Sequence, residues 1–259
     1  VGNIYQGKVV RILPGLQSAF VSIGQDKAAF MHITDLIDSH ELMGETRGED
    51  FEYPPILDVL HDGKELLVQV SKEPIGTKGA RITSSISLAS RYLVYLPGSG
   101  HVGISQRIED EPERKRLKDL LESIMLDSPR AGFIVRTAST GVSEDDIRKD
   151  AELLRARWAV ILKDAATSKA EALVYEDLPL PLRVMRDIIN PGTDRILVDN
   201  SNTYSTLQSF LQDFIPDKQD CLELVSDKVA LFDAHNLEDQ IEAALDRNVP
   251  LKSGGYLIV

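Results

Sequence analysis

The chain has 259 residues, 42% of them hydrophobic and 27% charged, an ordinary globular composition with room for two or three domains. Its formal net charge of −12 argues against nonspecific affinity for nucleic acid, which rests on cationic neutralisation of phosphates, so any such site has to be a local patch. The single cysteine, Cys221, excludes an internal disulfide and any multi-cysteine metal site within these residues.

No run approaches the roughly 18 apolar residues of a membrane span, and no signal peptide opens the chain, so a cytoplasmic protein without a membrane span is the plain reading. The first residue is Val1 rather than Met, and Gly254 to Val259 stops in the middle of an apparent strand. Both ends read as cut, which predicts an internal segment of a longer protein.

Three short runs open the chain: Ile4 to Ile12, Ser18 to Ile23 and Ala28 to Ile33. Each is rich in β-branched and aromatic residues and bounded by turn formers such as Pro14-Gly15 and Asp26-Lys27, which predicts consecutive antiparallel strands. Period-two alternation puts Ala19, Val21 and Ile23 on one face and Ser18, Phe20 and Ser22 on the other. In the next strand Ala29, Met31 and Ile33 face inward, while Ala28, Phe30 and His32 point away. Two large aromatics on the wet side have two readings. An adjoining domain covers them, or they form a stacking platform for unpaired bases, with Lys8, Arg11 and His32 beside them for the backbone.

Asp35 to Tyr53 is acidic and lacks an apolar period, which fits a solvated insertion or a functional loop. Beyond it, Leu66, Val68 and Val70 alternate with Leu67, Gln69 and Ser71 in a strand from Glu65 to Lys72, and Gly79 to Thr83 makes a fifth. The turn between them carries Lys78, a surface cation within reach of a phosphate. Tyr92 to Leu96 reads as a strand, Pro97 to Gly100 as a turn and Val102 to Ser105 as its partner. Leu117, Leu120, Leu121 and Ile124 then recur at helical spacing within Glu111 to Ile124.

Phe133 to Arg136 is a strand ending in Arg136-Thr137, and Ser143 with Asp146 three residues on marks a helix start close to a capping box. A guanidinium, a hydroxyl and a turn of small residues suit an anion cup, although an arginine at a strand end also commonly makes a surface ion pair. The following helix lines up Ile147, Ala151, Leu154, Trp158 and Ile161, with Trp158 read as core. Strand Ala172 to Tyr175, helix Pro181 to Ile189, strand Arg195 to Val198 and helix Asn202 to Phe214 alternate in the α/β manner, with Asp199 expected to cap the next turn. Asn236 is expected to cap the helix Leu237 to Asp246, and Val249 to Val259 reads as strand, tight turn and strand.

The stretches Gly7-Lys8-Val9, Phe20-Val21-Ser22-Ile23-Gly24 and Ala29-Phe30-Met31-His32-Ile33 resemble the ribosomal S1-type RNA-binding domain, an OB-fold barrel. Together with Gly76 to Arg81, Phe133 to Ala138 and Ser253-Gly254-Gly255, they resemble the bacterial ribonuclease E/G family along essentially the whole chain. The resemblance implies an α+β multidomain protein: an S1-type five-stranded OB barrel over residues 1–84, a mixed α/β 5′-monophosphate sensor region over 85–169, a partial ribonuclease H-like subdomain over 170–246 and the start of a deoxyribonuclease I-like catalytic subdomain over 247–259.

For the site, the resemblance implies RNA contacts at Lys8, Arg11, Phe20, Phe30, His32 and Lys78. It also implies that Arg136 and Thr137 hold a 5′-monophosphate, that Val94 packs against the terminal base, and that Ser90, Tyr92 and Arg107 lie nearby. Where part of the family has a second arginine just before the one matching Arg107, this chain has Gln106. The family function implied is Mg²⁺-dependent, single-strand-specific endoribonuclease action in RNA processing and decay, including rRNA maturation, with 5′-monophosphorylated single-stranded RNA as partner. The metal-binding aspartates are expected beyond Val259, so that no catalytic residue is named and the segment alone is expected to be inactive. Zinc at an oligomerisation motif, and the homo-oligomer it supports, are likewise expected outside this segment. The alternative is a noncatalytic single-stranded RNA-binding regulator. A small-molecule α/β enzyme ranks last, because the chain has neither a glycine-rich phosphate loop nor a nucleophile elbow.

Overall fold

The computed structural model describes residues 1–36, 53–126, 131–190, 192–226 and 230–258. Most of the acidic stretch from Asp35 to Tyr53 therefore lies outside the described residues. The chain divides into two units, Val1–Leu178 and Pro179–Val259.

The first unit opens with a barrel built from β1 (Ile4–Leu13), β2 (Ser18–Ser22), β3 (Ala29–His32), the one-turn helices α1 (Ile33–Leu36) and α2 (Ile56–Val59), β4 (Glu65–Lys72) and β5 (Arg81–Thr83). The ladder runs β1-β2-β3-β5-β4 and returns to β1, so the five strands close on themselves as an OB barrel requires. β1 is long enough to serve two neighbours: Ile4 to Lys8 pairs with β4, and Lys8 to Leu13 pairs with β2. Val9, Ala19, Val21, Ala29, Met31, Val68 and Ile82 fill the interior. The expected alternation holds with one correction. Ser18, placed on the wet face, is 1% exposed; it follows directly on the Pro14–Leu16 turn and donates its hydroxyl to the Leu16 carbonyl at 2.7 Å.

A second sheet follows: β6 (Leu88–Ala89), β7 (Leu93–Pro97), β8 (Val102–Ile104) and β9 (Ala131–Val135), with α3 (Glu111–Met125) before β9 and α4 (Glu144–Thr167) after it. The strand order is β6-β7-β9-β8. The expected hairpin of β7 with β8 is therefore wrong. β9 lies between them, antiparallel to β7 and parallel to β8. The connection from β7 to β8 passes against the start of β9 at Gly132, where an added Cβ would meet Ser99 Oγ at 2.0 Å and the His101 backbone at about 3 Å. Gly132 keeps that passage uncrowded, since a side chain there would have to turn Ser99 aside and press on the His101 backbone.

Helices α3 and α4 cover one face of this sheet, burying Leu93, Tyr95, Phe133 and Val135 against Leu117, Leu121, Ile147, Ala151, Leu154 and Ile161. Ser143 caps α4 as expected, accepting from the Asp146 N–H, and Trp158 packs against the same core while remaining partly exposed. Strand β10 (Leu173–Tyr175) takes up the edge of β1 that β2 leaves unpaired, opposite Ile4 and Tyr5. Gln69 links barrel and second sheet: its amide donates to the Gly2 and Ser87 carbonyls and accepts from the Ser87 N–H.

The second unit contains α5 (Leu180–Ile188), β11 (Ile196–Val198), α6 (Ser201–Phe214), β12 (Leu222–Leu224), α7 (Leu231–Ala234), α8 (Leu237–Leu245), β13 (Asn248–Pro250) and β14 (Tyr256–Ile258). β11 and β12 are parallel and joined through α6, around a core of Met185, Val198, Leu207, Leu211 and Leu222. Asn200, not Asp199, caps α6, accepting from the Thr203 N–H at 3.0 Å. Asn236 stands at the start of α8, but its side chain makes no capping bond. β13 and β14 form the expected hairpin. Together the barrel and the mixed helix and sheet regions make an α+β fold, and no described helix is long and apolar enough to cross a membrane.

Candidate nucleic-acid interface

Across the outer surface of the barrel, one residue from each strand falls into register. Arg11 lies opposite Phe20, Phe20 opposite Phe30, Phe30 opposite Arg81, and Arg81 opposite Lys72. Two pairings shift register, between Val9 and Arg11 and between Val70 and Lys72. Each bulge adds one residue to its strand and turns the cation behind it onto the outer face. The result is a band with aromatic rings at its centre and cations on both sides.

The two rings meet edge to face, with centroids 6.0 Å apart and planes at 69°, a favourable aromatic arrangement. Both phenylalanines are half-buried rather than sealed, and neither belongs to the barrel core. Arg81 is held by a two-pronged contact with Asp35, Nε to Oδ2 at 3.1 Å and Nη2 to Oδ1 at 3.0 Å, which fixes the guanidinium plane. Its side chain is still 42% exposed.

Phe20, Phe30, Arg81 and Lys72 open onto a cavity of about 750 Å³ whose far wall is the turn carrying Ile75, Thr77 and Lys78. That turn closes through an Ile75–Lys78 bridge, and Lys27 donates to the Gly76 carbonyl at 2.6 Å. Gly79 lets the chain leave it: a Cβ there would meet the Ala28 carbonyl oxygen at 2.0 Å. Lys27, Lys72, Lys78 and Arg81 line the cavity against one carboxylate, Glu73. A strongly acidic chain thus carries a local basic patch around two aromatic rings.

Of the residues singled out from sequence, Phe20, Phe30 and Lys78 come together at this cavity. Arg11 adjoins it through Phe20, and Lys8 lies opposite Ser22, further along β1. His32 does not join them. It pairs with Ser18, and its Nδ1 stands 2.9 Å from the Thr34 hydroxyl. Lys27, Lys72 and Arg81 were missed; alternation around the buried Ile82 was the available signal for Arg81.

A second cluster sits on the four-stranded sheet. Ala89, Val94, Ile134 and Gly103 form one cross-strand row on the face that the helices leave uncovered, and the small residues at its two ends make it a shallow apolar shelf. Arg136 lies two residues beyond Ile134, and its Nη1 donates to the Ser90 carbonyl at 2.6 Å. Thr137 is exposed, with its hydroxyl 3.2 Å from that of Ser105, whose Oγ accepts from the Arg107 N–H at 3.4 Å. The structure therefore brings Arg136, Thr137, Arg107 and Val94 to the same part of the sheet, with Gln106 and Arg107 exposed at its rim.

Two carboxylates shape this region. Asp150 Oδ2 accepts from the Ser90 hydroxyl, from the Leu93 N–H at 3.0 Å and from the Tyr92 N–H at 3.3 Å. Burial pushes its carboxyl above the usual carboxylate range, although those bonds and the Arg157 charge pull the other way. Glu113 is the reverse case. Bonds from Arg116 and from the Gly141 N–H hold its carboxyl down at about 2. Among the described residues no group of three or more His, Cys, Asp and Glu side chains is placed to hold a metal ion.

The sequence model of the Ribonuclease E/G family matches residues 87–259. Ribonuclease G of Haemophilus influenzae is 44% identical over 259 residues, an alignment covering 100% of this chain and 52% of that protein. Ribonuclease G of Escherichia coli strain K12 is also 44% identical, over 100% of this chain and 53% of its own length. Ribonuclease E of Haemophilus influenzae is 35% identical over 262 residues, covering 99% of this chain and 27% of that protein. The chain spans about half the length of the ribonuclease G relatives.

Proposed function

This chain belongs to the ribonuclease E/G family, and we propose that it is the RNA-capturing and 5′-end-sensing portion of a single-strand-specific endoribonuclease. The observation that carries the reading is the band Arg11–Phe20–Phe30–Arg81–Lys72. Stacking on an aromatic ring contributes about 1–3 kcal/mol per base and is available only to bases free of a duplex, while flanking cations take the phosphates. The band therefore selects single strands without reading sequence.

In this reading the shelf around Val94 receives the terminal base, and Arg136, Thr137 and Arg107 take the 5′-monophosphate. Arg136 is suited to the task because the bond from its Nη1 to the Ser90 carbonyl orients a planar, permanently charged guanidinium. Phosphodiester hydrolysis, with the Mg²⁺ that activates water in such chemistry, falls in this reading to carboxylates outside the two clusters. The role of these residues is to raise the local concentration of the strand and to align it.

The test is binding of a fluorescent single-stranded oligoribonucleotide compared with the same sequence in a duplex. Tighter binding of the single strand that is lost on replacing both Phe20 and Phe30 with Ala is the expected result; equal affinity for both forms would overturn the reading.

A further inference from the structure

Asp150 belongs neither to the apolar stripe of α4 nor to the exposed rim of the phosphate cluster, yet a side-chain bond and a backbone bond of Arg136 end on the turn it holds. The Ser90–Leu93 turn donates three bonds to one carboxylate oxygen of Asp150. The carbonyls of that turn point the other way. Ser90 O accepts from Arg136 Nη1 at 2.6 Å, and Tyr92 O accepts both the Arg136 N–H and the Ser139 hydroxyl at 2.8 Å. A four-residue turn thus donates to one carboxylate and accepts from the backbone and side chain of Arg136.

The charge of this carboxylate is not what stabilises the fold. Its carboxyl is shifted upward even with three donors and the Arg157 charge in its favour, so folding disfavours the ionised form. Ser90 also closes the turn through its backbone, donating its N–H to the Leu93 carbonyl at 2.9 Å. What the carboxylate adds is a fixed direction for the Ser90 and Tyr92 carbonyls.

We propose that Asp150 is the positioning residue of the 5′-phosphate site: by pinning the Ser90–Leu93 turn it aims the Arg136 guanidinium at the phosphate of an RNA end. The inference rests on the reading of Arg136 and Thr137 as the phosphate-binding pair. Asp150 itself touches no ligand. Its loss leaves Arg136 present and charged but wrongly directed, and a bidentate contact tolerates little misdirection.

The experiment compares affinities for one fluorescent oligoribonucleotide carrying either a 5′-monophosphate or a 5′-hydroxyl. Asp150→Ala is expected to lower the monophosphate-to-hydroxyl affinity ratio fivefold or more while affinity for the hydroxyl form stays within twofold, because the barrel is untouched. Asp150→Asn, which keeps an acceptor oxygen under the turn, is expected to restore at least half of the ratio. An unchanged ratio in folded Asp150→Ala overturns the proposal, as does equal loss in both variants, which would mark general loosening. If Asp150→Ala fails to fold, Ser90→Ala removes one donor and keeps the carbonyl. A drop of twofold or more then supports the proposal, and no drop overturns it. Arg136→Gln separates the two levels: a ratio that survives it refutes the phosphate site and the positioning role together, whereas a ratio lost in Arg136→Gln but intact in Asp150→Ala refutes the positioning role alone.

Discussion

Arg11 stands directly across from Phe20 because β1 gains one residue, Val10, between the pairs Val9–Val21 and Arg11–Phe20. Without the bulge, Arg11 would follow the inward phase of Val9, which is 1% exposed, and its charge would be driven into the barrel. The cation beside the aromatic centre is thus a consequence of register. Deleting Val10 is expected to cost RNA affinity through Arg11, or to unfold the barrel outright; a folded deletion variant with unchanged affinity, followed by circular dichroism and anisotropy, would contradict this.

The rings themselves give the most direct prediction. Phe20→Ala and Phe30→Ala should each weaken single-stranded RNA binding by about 1–3 kcal/mol. Both side chains lie outside the barrel core, so thermal stability should change far less than on truncating a core residue such as Met31. Because the rings touch, their effects should not add in the double variant. Isothermal titration with the three variants checks each part.

Arg81 and Lys72 should act differently from the rings. Each cation that neutralises a phosphate contributes about 0.7 to the slope of log affinity against log salt for a single strand. Lys72→Gln, on an exposed side chain, should flatten that slope by about this amount without altering the preference for single strands. Arg81→Gln should do the same and also release Asp35, adding an unpaired carboxylate to the patch, so its loss of affinity should exceed that of Lys72→Gln. A salt titration that found the opposite order would remove Arg81 from the phosphate path.

The difference between what could be read early and what could not follows from the range of the signals. Alternation within β2 and β3 is local, and it suffices to place Phe20 and Phe30 outside the barrel core. The Ser143 cap and the stripe Ile147, Ala151, Leu154 are equally local. The bulges at Val10 and Ser71 depend on the partner strand, so the band they create was not legible. The order β7-β9-β8 was misread because Pro97 to Gly100 carries a hairpin signal, while the insertion of β9 is set by pairings with residues some thirty positions away. Asp150 gave no signal at all. A lone aspartate between Lys149 and Ala151 reads as a solvated helix residue until the Ser90–Leu93 turn is seen resting on it.

Glu113 supplies a prediction about acid. Its carboxylate accepts from Arg116 at 2.7 Å and from the Gly141 N–H at 2.9 Å, tying α3 to the turn that precedes α4. The folded carboxyl is held at about 2, below its ordinary value of 4.5, so the contact stabilises the fold fully above pH about 4.5 and loses that contribution as pH falls toward 2. The side chain is 15% exposed and Arg116 is 32% exposed, so solvent screens the pair and the contribution is about 1 kcal/mol rather than the ~3 that the shift alone would give. Glu113→Gln should therefore unfold at a lower temperature than the unsubstituted protein at pH 7, and the gap should close between pH 4.5 and 2. A gap that stayed constant over that range, measured by calorimetry at several pH values, would mean that the Glu113 charge does not hold the turn.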